Sequence, residues 1–235
     1  MANRPTSAEM NPGPGFRVKT RIERPDSELI RRYAEFETTD ISDMLNRLYA
    51  VSSDIQNLTN GMPLVGPAVT VKVFPGDNLM VHKSLDLIQP GDVIVVDSSG
   101  TRNTAVIGDL VASKARHKGA AGFIIDGLIR DLEEVRKVGL PVFARGNCVM
   151  GPLHRGPGEI NYAVNCGGVV VNPGDIVVAD RNGAVIVRKE FAEEVLGRLE
   201  AKKPGLEQYV AEVKKGNFSN EWVDKLLAHN DCVID

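Results

Sequence analysis

Apolar and polar positions change period along the chain, and each change marks an element. Leu29, Ile30, Tyr33 and Phe36 recur at helical spacing from Ser27, and Ile41, Met44, Leu45 and Leu48 repeat that spacing after Thr39 and Asp40. Asp40 and Asp43 fall at the start of the second helix, where capping competes with a site role. The run AVTVKVF at 68–74 predicts a strand. Gly76, Asp77 and Asn78 then open a helix through His82 to Leu85, and Gln89-Pro90-Gly91-Asp92 turns into VIVVD, a buried strand. Asp77 suits an N-cap; His82, one turn in, suits either packing or a pocket.

The stretch 108–131, GDLVASKARHKGAAGFIIDGLIRD, has a fuller grammar. Ile107, Leu110 and Val111 recur at helical spacing, Arg116 and Lys118 suit a helix C-terminus, and Gly119 can close it. A short apolar run to Ile125 predicts a strand, and Asp126-Gly127 a turn. Leu132, Val135 and Val138 predict a short helix ended by Gly139, before a strand over 141–144. Residues 145–161, rich in Gly and Pro around His154 and Arg155, predict a long structured loop that suits a surface connection or the choice of substrate.

GGVVV and DIVVAD predict two strands joined by Asn172-Pro173-Gly174, and Arg181-Asn182-Gly183 a hairpin into AVIVR. Three apolar stripes follow: Phe191, Val195, Leu196 and Leu199 before Pro204-Gly205, then Leu206, Val210 and Val213, then Trp222, Val223, Leu226 and Leu227. The pattern predicts an α/β domain over 27–190 with a β-rich second half. It adds a mobile or partner-draped arm over 1–26, which holds four Pro, and a helical extension over 191–235. The extension comes after the sheet is complete, so a neighbouring subunit is the natural cover for its apolar faces.

Composition narrows the function classes. The chain has 235 residues, 43% of them apolar, enough for one sizeable core. A net charge of -3 gives no field favouring nucleic acid or an anionic membrane. No run has the length of a membrane span and no signal-peptide pattern opens the chain, so a cytoplasmic location is expected. Cys148, Cys166 and Cys232 have no metal-type spacing and fit reduced thiols, and the four His form no HExxH.

The candidate chemistry lies in 108–131. Free backbone N–H groups at the helix start, over Gly108, Asp109, Leu110 and Val111, suit an anion. Arg130 and Asp131 set a cation beside a carboxylate, able to hold a carboxylate substrate and a divalent metal. The plain alternative is that Asp131 is an N-cap with Glu134 three positions on, Gly108 allows tight packing, and Arg130 is a solvated charge.

The spacing of Asp109, twenty residues, then Arg130-Asp131 resembles the metal-site motif of the RraA-like family. Similar phrases follow in order: PGDNLMVHKSLDLIQPGDVIVVD at 75–97, GLPVFARG at 139–146 and GPGEINYAVNCGGVVVNPGDIVVAD at 156–180, so the resemblance spans about 38–190. It implies a β/β/α, swivelling-domain type core with N- and C-terminal helical extensions, assembled as trimers or hexamers.

The activity it implies is that of a class II pyruvate aldolase. Such an enzyme cleaves 4-hydroxy-4-methyl-2-oxoglutarate or 4-carboxy-4-hydroxy-2-oxoadipate type acids to pyruvate and a second oxo acid, with oxaloacetate decarboxylation as a side activity. No lysine sits in a recognisable Schiff-base setting; Lys72 and Lys83 are the possible ones, but long Lys stems usually reach solvent, so a metal with a cation is the expected route to a stabilised enolate. On this resemblance Asp131 ligates Mg²⁺ or Mn²⁺, and Asp109 holds metal-bound water. Arg130 contacts the 2-oxo oxygen, while the N–H groups over Gly108, Asp109, Leu110 and Val111 bind the carboxylate. The base for the C4 hydroxyl stays open, with Glu207 of a neighbouring subunit a candidate by position. Family relatives also act as protein-binding regulators of ribonuclease activity, the alternative reading. A methyltransferase label lacks any glycine-rich fingerprint here.

Overall fold

Residues 9–234 are described in a computed structural model of the chain. The first half runs β1 (Phe16–Val18), α1 (Ser27–Tyr33), α2 (Thr38–Met44), β2 (Gln56–Asn57), β3 (Leu64–Val73), α3 (Leu79–Ser84), β4 (Val93–Asp97), β5 (Ala105–Ile107) and α4 (Asp109–His117). It continues through β6 (Gly122–Asp126), β7 (Leu128–Ile129), α5 (Leu132–Val138), β8 (Val142–Ala144), β9 (Gly158–Ile160), β10 (Val164–Cys166), β11 (Val169–Val171), β12 (Ile176–Asp180) and β13 (Gly183–Val187). Two helices close the chain, α6 (Ala192–Lys214) and α7 (Glu221–His229).

The main sheet has the order β1-β9-β3-β4-β6-β8-β2, with β12 and β13 branching from β3. Its centre, β3, β4, β6 and β8, is parallel. The first half of β3 instead pairs antiparallel with β12, Leu64 opposite Ala179 and Pro67 opposite Ile176.

Side chains alternate along a strand, so each central strand feeds two cores. Val71, Ile94, Val96, Phe123 and Ile125 face one side, packed with Val81 of α3, Val111, Ala112 and Ala115 of α4, and Val135 of α5. Val93, Val95, Ile124 and Phe143 face the other, packed with Val164 and Cys166 of β10, Ala179 and Ile186. Each large apolar side chain so buried contributes about 1.5–3 kcal/mol. The result is a β/β/α layering, as the resemblance implies.

Several local expectations need correction. Residues 1–8 of the expected arm lie outside the described residues, and from Phe16 the arm is tied down. There β1 pairs in parallel with β9, and Arg24 makes two bonds to the buried Asp92, at 2.8 and 2.7 Å. Strand pairing and a buried carboxylate outweigh the proline-rich composition. In α4 the buried stripe is Val111, Ala112 and Ala115; Ile107 belongs to β5 and Leu110 is 69% exposed. Leu48 is exposed too, because Asn46 and Arg47 turn to positive φ and end that helix early.

The described residues fall into two compact units that divide after Leu196. The expected break at Pro204-Gly205 does not occur, and α6 continues through Pro204. Helix formers on both sides, Leu199, Glu200 and Ala201 before and Leu206, Glu207 and Gln208 after, outweigh a penalty of about 3 kcal/mol for an interior proline.

Candidate active site

Two short strands build the site. β5 and β7 pair in parallel, Ala105 opposite Leu128 and Ile107 opposite Ile129, and the Arg130 N–H donates to the Ile107 carbonyl at 3.0 Å. The residues that follow each strand therefore meet: Gly108 with the start of α4 from one, Arg130 and Asp131 from the other. A methyl group on Gly108 would collide with the Asp131 carboxylate and crowd the Arg130 stem. Gly108 is needed for space rather than for its backbone angles.

Asp131 precedes α5 in the left-handed region, at φ 56 and ψ 41, and its side chain makes no cap bond. That answers the capping alternative, since Glu134 pairs instead with Lys137 at 2.7 Å. A non-glycine residue held there costs on the order of 1–3 kcal/mol, less for Asp than for most. The strain turns the carboxylate back towards Gly108 and the Arg130 Nε, 3.3 Å away. Both side chains stay about two-fifths exposed, so the pair adds little stability and leaves its charges available.

The mouth of α4 is open in the same sense. Gly108 offers no capping side chain, and the first intrahelical bond is from Ala112 N–H to Gly108 at 3.1 Å. The N–H groups of Asp109, Leu110 and Val111 precede that bond and form the positive end of the helix.

A cavity of about 280 Å³ covers this corner, lined by Gly108, Asp109, Leu110, Val111 and Arg130. Its lining also includes Asn78 at the start of α3 and His82 in the last turn of that helix, Lys114 from α4, and Pro152 and His154 from the loop after β8. Backbone bonds pin that loop: Ala105 N–H to Met150 at 2.8 Å, Leu153 N–H to Gly76 at 2.8 Å and Asn78 N–H to Leu153 at 3.0 Å. Asp77 accepts from Leu79 N–H at 2.8 Å and Arg155 N–H at 2.6 Å, so it fixes the helix start and the loop together. Gly151 passes so close to the Arg130 guanidinium that a methyl group would collide with it.

Asn78 is 2% exposed, and its amide nitrogen donates to the Val106 carbonyl at 2.8 Å. Its oxygen then faces His154 Nδ1 at 2.6 Å, which makes Nδ1 the ring donor and leaves Nε2 free. His82 stands edge-on to His154, ring centroids 5.4 Å apart. Burial, then the charges of Lys114 and His154, hold the His82 pKa below the usual histidine value of 6.5.

All six residues singled out from the sequence, Gly108, Asp109, Leu110, Val111, Arg130 and Asp131, meet at this corner, and all but Asp131 line the cavity. Asp131 and Asp109 are the hard-oxygen donors present. Among the described residues no group of three or more His, Cys, Asp or Glu is placed to hold a metal. As carboxylate oxygens, these two donors suit the chemistry of a hard ion such as Mg²⁺ or Mn²⁺ better than that of zinc, which favours His and Cys.

Sequence reasoning gave no site role to Lys114 or Asn78, and named His154 only within the loop over 145–161 that suits the choice of substrate. Lys114 follows Leu110 by four residues, a spacing that sets both on one helix face and could have revealed it. His154 gave no such signal, because the backbone ladder between the loop and residues 76–78 places it.

Residues 38–186 match the RraA-like family model, described as Aldolase/RraA. A Halalkalibacterium halodurans protein named "Putative 4-hydroxy-4-methyl-2-oxoglutarate aldolase" is 38% identical over 182 residues, 77% of this chain and 87% of that protein. Among solved structures, an uncharacterized Pseudomonas syringae protein matches at TM-score 0.75 and 26% identity, covering 84% of this chain and 97% of its own. Streptomyces coelicolor RraAS2, described as an unusual member of the RNase ES inhibitor RraA protein family, matches at TM-score 0.73 and 30% identity, covering 80% and 100%.

Proposed function

The chain belongs to the RraA-like (Aldolase/RraA) family, and from that premise we propose that it is a divalent-metal-dependent pyruvate aldolase. Its substrates are 4-hydroxy-2-oxo acids of the 4-hydroxy-4-methyl-2-oxoglutarate or 4-carboxy-4-hydroxy-2-oxoadipate type. One observation carries the reading: Asp131 is strained into a left-handed conformation that commits its carboxylate to no cap and turns it to the open mouth of α4 beside Arg130. A capping residue would not need that conformation.

In this reading the N–H groups of Leu110 and Val111 bind the substrate carboxylate, and the Arg130 guanidinium faces the C2 oxygen. As the C3–C4 bond breaks, its electron pair moves into the C2–C3 enolate and the C4 hydroxyl gives up its proton to become the second carbonyl. Arg130 offsets the charge growing on the C2 oxygen, where a preorganised donor is worth most. A proton returned to C3 completes pyruvate. Asp131 and Asp109 would hold Mg²⁺ or Mn²⁺, which supplies Lewis acidity at the oxo group. Oxaloacetate, losing CO₂ from C3, gives the same enolate and is the expected second substrate.

The proposal includes assembly into trimers or hexamers. Within the C-terminal unit, Tyr209, Trp222 and Leu226 are at least half exposed, surface that a second copy of the chain would cover. Light scattering should give three or six times the 25.5 kDa chain mass.

The decisive assay follows pyruvate release from 4-hydroxy-4-methyl-2-oxoglutarate. Turnover should vanish on chelation and return with Mg²⁺ or Mn²⁺. Turnover indifferent to chelation, or trapping of pyruvate on a lysine by borohydride, rejects the metal route. The alternative, a regulator of ribonuclease activity, draws on the likeness to RraAS2, whose family is that of an RNase ES inhibitor; ribonuclease capture without any aldolase turnover would favour it.

A further inference from the structure

Part of the cavity wall is unexplained by the reaction at C2 to C4. Lys114, His82 and His154 line it, the two imidazole rings 5.4 Å apart, and with Arg130 they outnumber the one carboxylate of the lining, Asp109. Their closeness is electrostatic as well as spatial, because the charges of Lys114 and His154 both act on His82. Such a wall in a chain of net charge -3 suits an anion.

Its distance from the helix mouth suits the second end of a short diacid. Leu110 to Lys114 is one helical turn, a rise of about 6 Å, comparable to the span of an extended five-carbon diacid. The cavity of about 280 Å³ lies near the lower end of ligand cavities, roughly 300–1,000 Å³, and has room for one small acid.

The other observation is a built support. His154 is on a loop, yet its ring is presented by the buried Asn78 amide, which the Val106 carbonyl holds in one orientation. A surface histidine finishing a loop has no need of a buried partner with a fixed tautomer.

We propose that Lys114 and His154 bind the distal carboxylate of the 2-oxo acid, with Asn78 as the positioning residue for His154. This rests on the reading that the helix mouth and Arg130 take the 2-oxo acid end. It assigns the choice of diacids over monoacids to residues apart from the helix mouth and Arg130.

The test is calorimetric binding in the presence of Mg²⁺, using 2-oxoglutarate and its monoacid counterpart 2-oxopentanoate. The wild-type protein should prefer 2-oxoglutarate by about tenfold or more, the scale of one charge-assisted hydrogen bond. Lys114→Met and His154→Gln should each remove most of that preference and leave 2-oxopentanoate affinity within about twofold of wild type. Equal wild-type affinities, or variants that weaken both acids alike, overturn the proposal. Pyruvate release decides the aldolase reading separately. Preference for the diacid without turnover would keep the subsite and reject the aldolase; turnover without preference would do the reverse.

Discussion

Two polar clusters stand near the C-terminal ends of the parallel strands, and they differ in how fully their charges are matched. Asp97 and Asp126 end β4 and β6 in register, with Lys72 of β3 beside them. Asp97 receives Lys72 Nζ at 2.7 Å, Ser99 N–H at 2.9 Å and Asn165 N–H at 3.1 Å. Asp126 receives Gly167 N–H at 2.8 Å and the Arg145 guanidinium, which also reaches Asp54 at 2.8 Å. These carboxylates are buried and satisfied, and they tie the β10–β11 turn to the sheet. Around Asp131 the opposite holds: a strained backbone, one ion pair at 3.3 Å and a half-open side chain. Completed charges hold this fold together, and the uncompleted ones around Asp131 are those the proposed function draws on.

The contrast makes predictions of opposite kinds. Asp131→Ala should lower pyruvate release by about a thousandfold or more while stability falls by no more than about 1 kcal/mol, because Ala tolerates the left-handed conformation less well than Asp; turnover near wild type would make Asp131 a backbone feature only. Arg145→Met should do the reverse, costing about 3–5 kcal/mol in denaturant titration because Asp126 is left buried and unpaired. A cost under about 1 kcal/mol would erase the distinction between the clusters. Arg130→Lys keeps the charge but not the planar fork, and should cost about a hundredfold in kcat.

Smaller effects sharpen the same comparison. Asp131→Gly relieves the left-handed strain and should raise stability by about 1 kcal/mol while losing activity, measured on one sample by melting and by turnover. His82 should titrate below 6.5 by NMR and move back towards it in Lys114→Met, since Lys114 is one cause of the shift. The sign follows from linkage: the unfolded histidine takes its proton first as pH falls, so His82's contribution is intact above 6.5 and lost as pH drops through the lowered folded value. Asp109, Arg130 and His154 line the same cavity and belong in the interpretation of that titration.

Much of this molecule could be read from local pattern. The α4–β6–α5 unit has helical spacing, a strand-length apolar run and glycines 119 and 139 at the helix ends, and its motif spacing named the family and singled out residues that meet at one corner. These depend on nearest neighbours along the chain, which sequence records directly. Tertiary structure alone decided what depends on distant backbone. The β5–β7 pairing carries Gly108 to Arg130, 22 residues on, and the ladder between residues 76–78 and 153 swings His154 over the cavity. The same kind of pairing draws β1 out of a proline-rich arm. Asp131 shows the division in one residue. Its sequence context fits an N-cap, but the crowding of Gly108 against Arg130 goes with a backbone conformation that turns the carboxylate into the site. Local grammar chooses the elements; hydrogen bonds between strands far apart in sequence choose which side chains face one another.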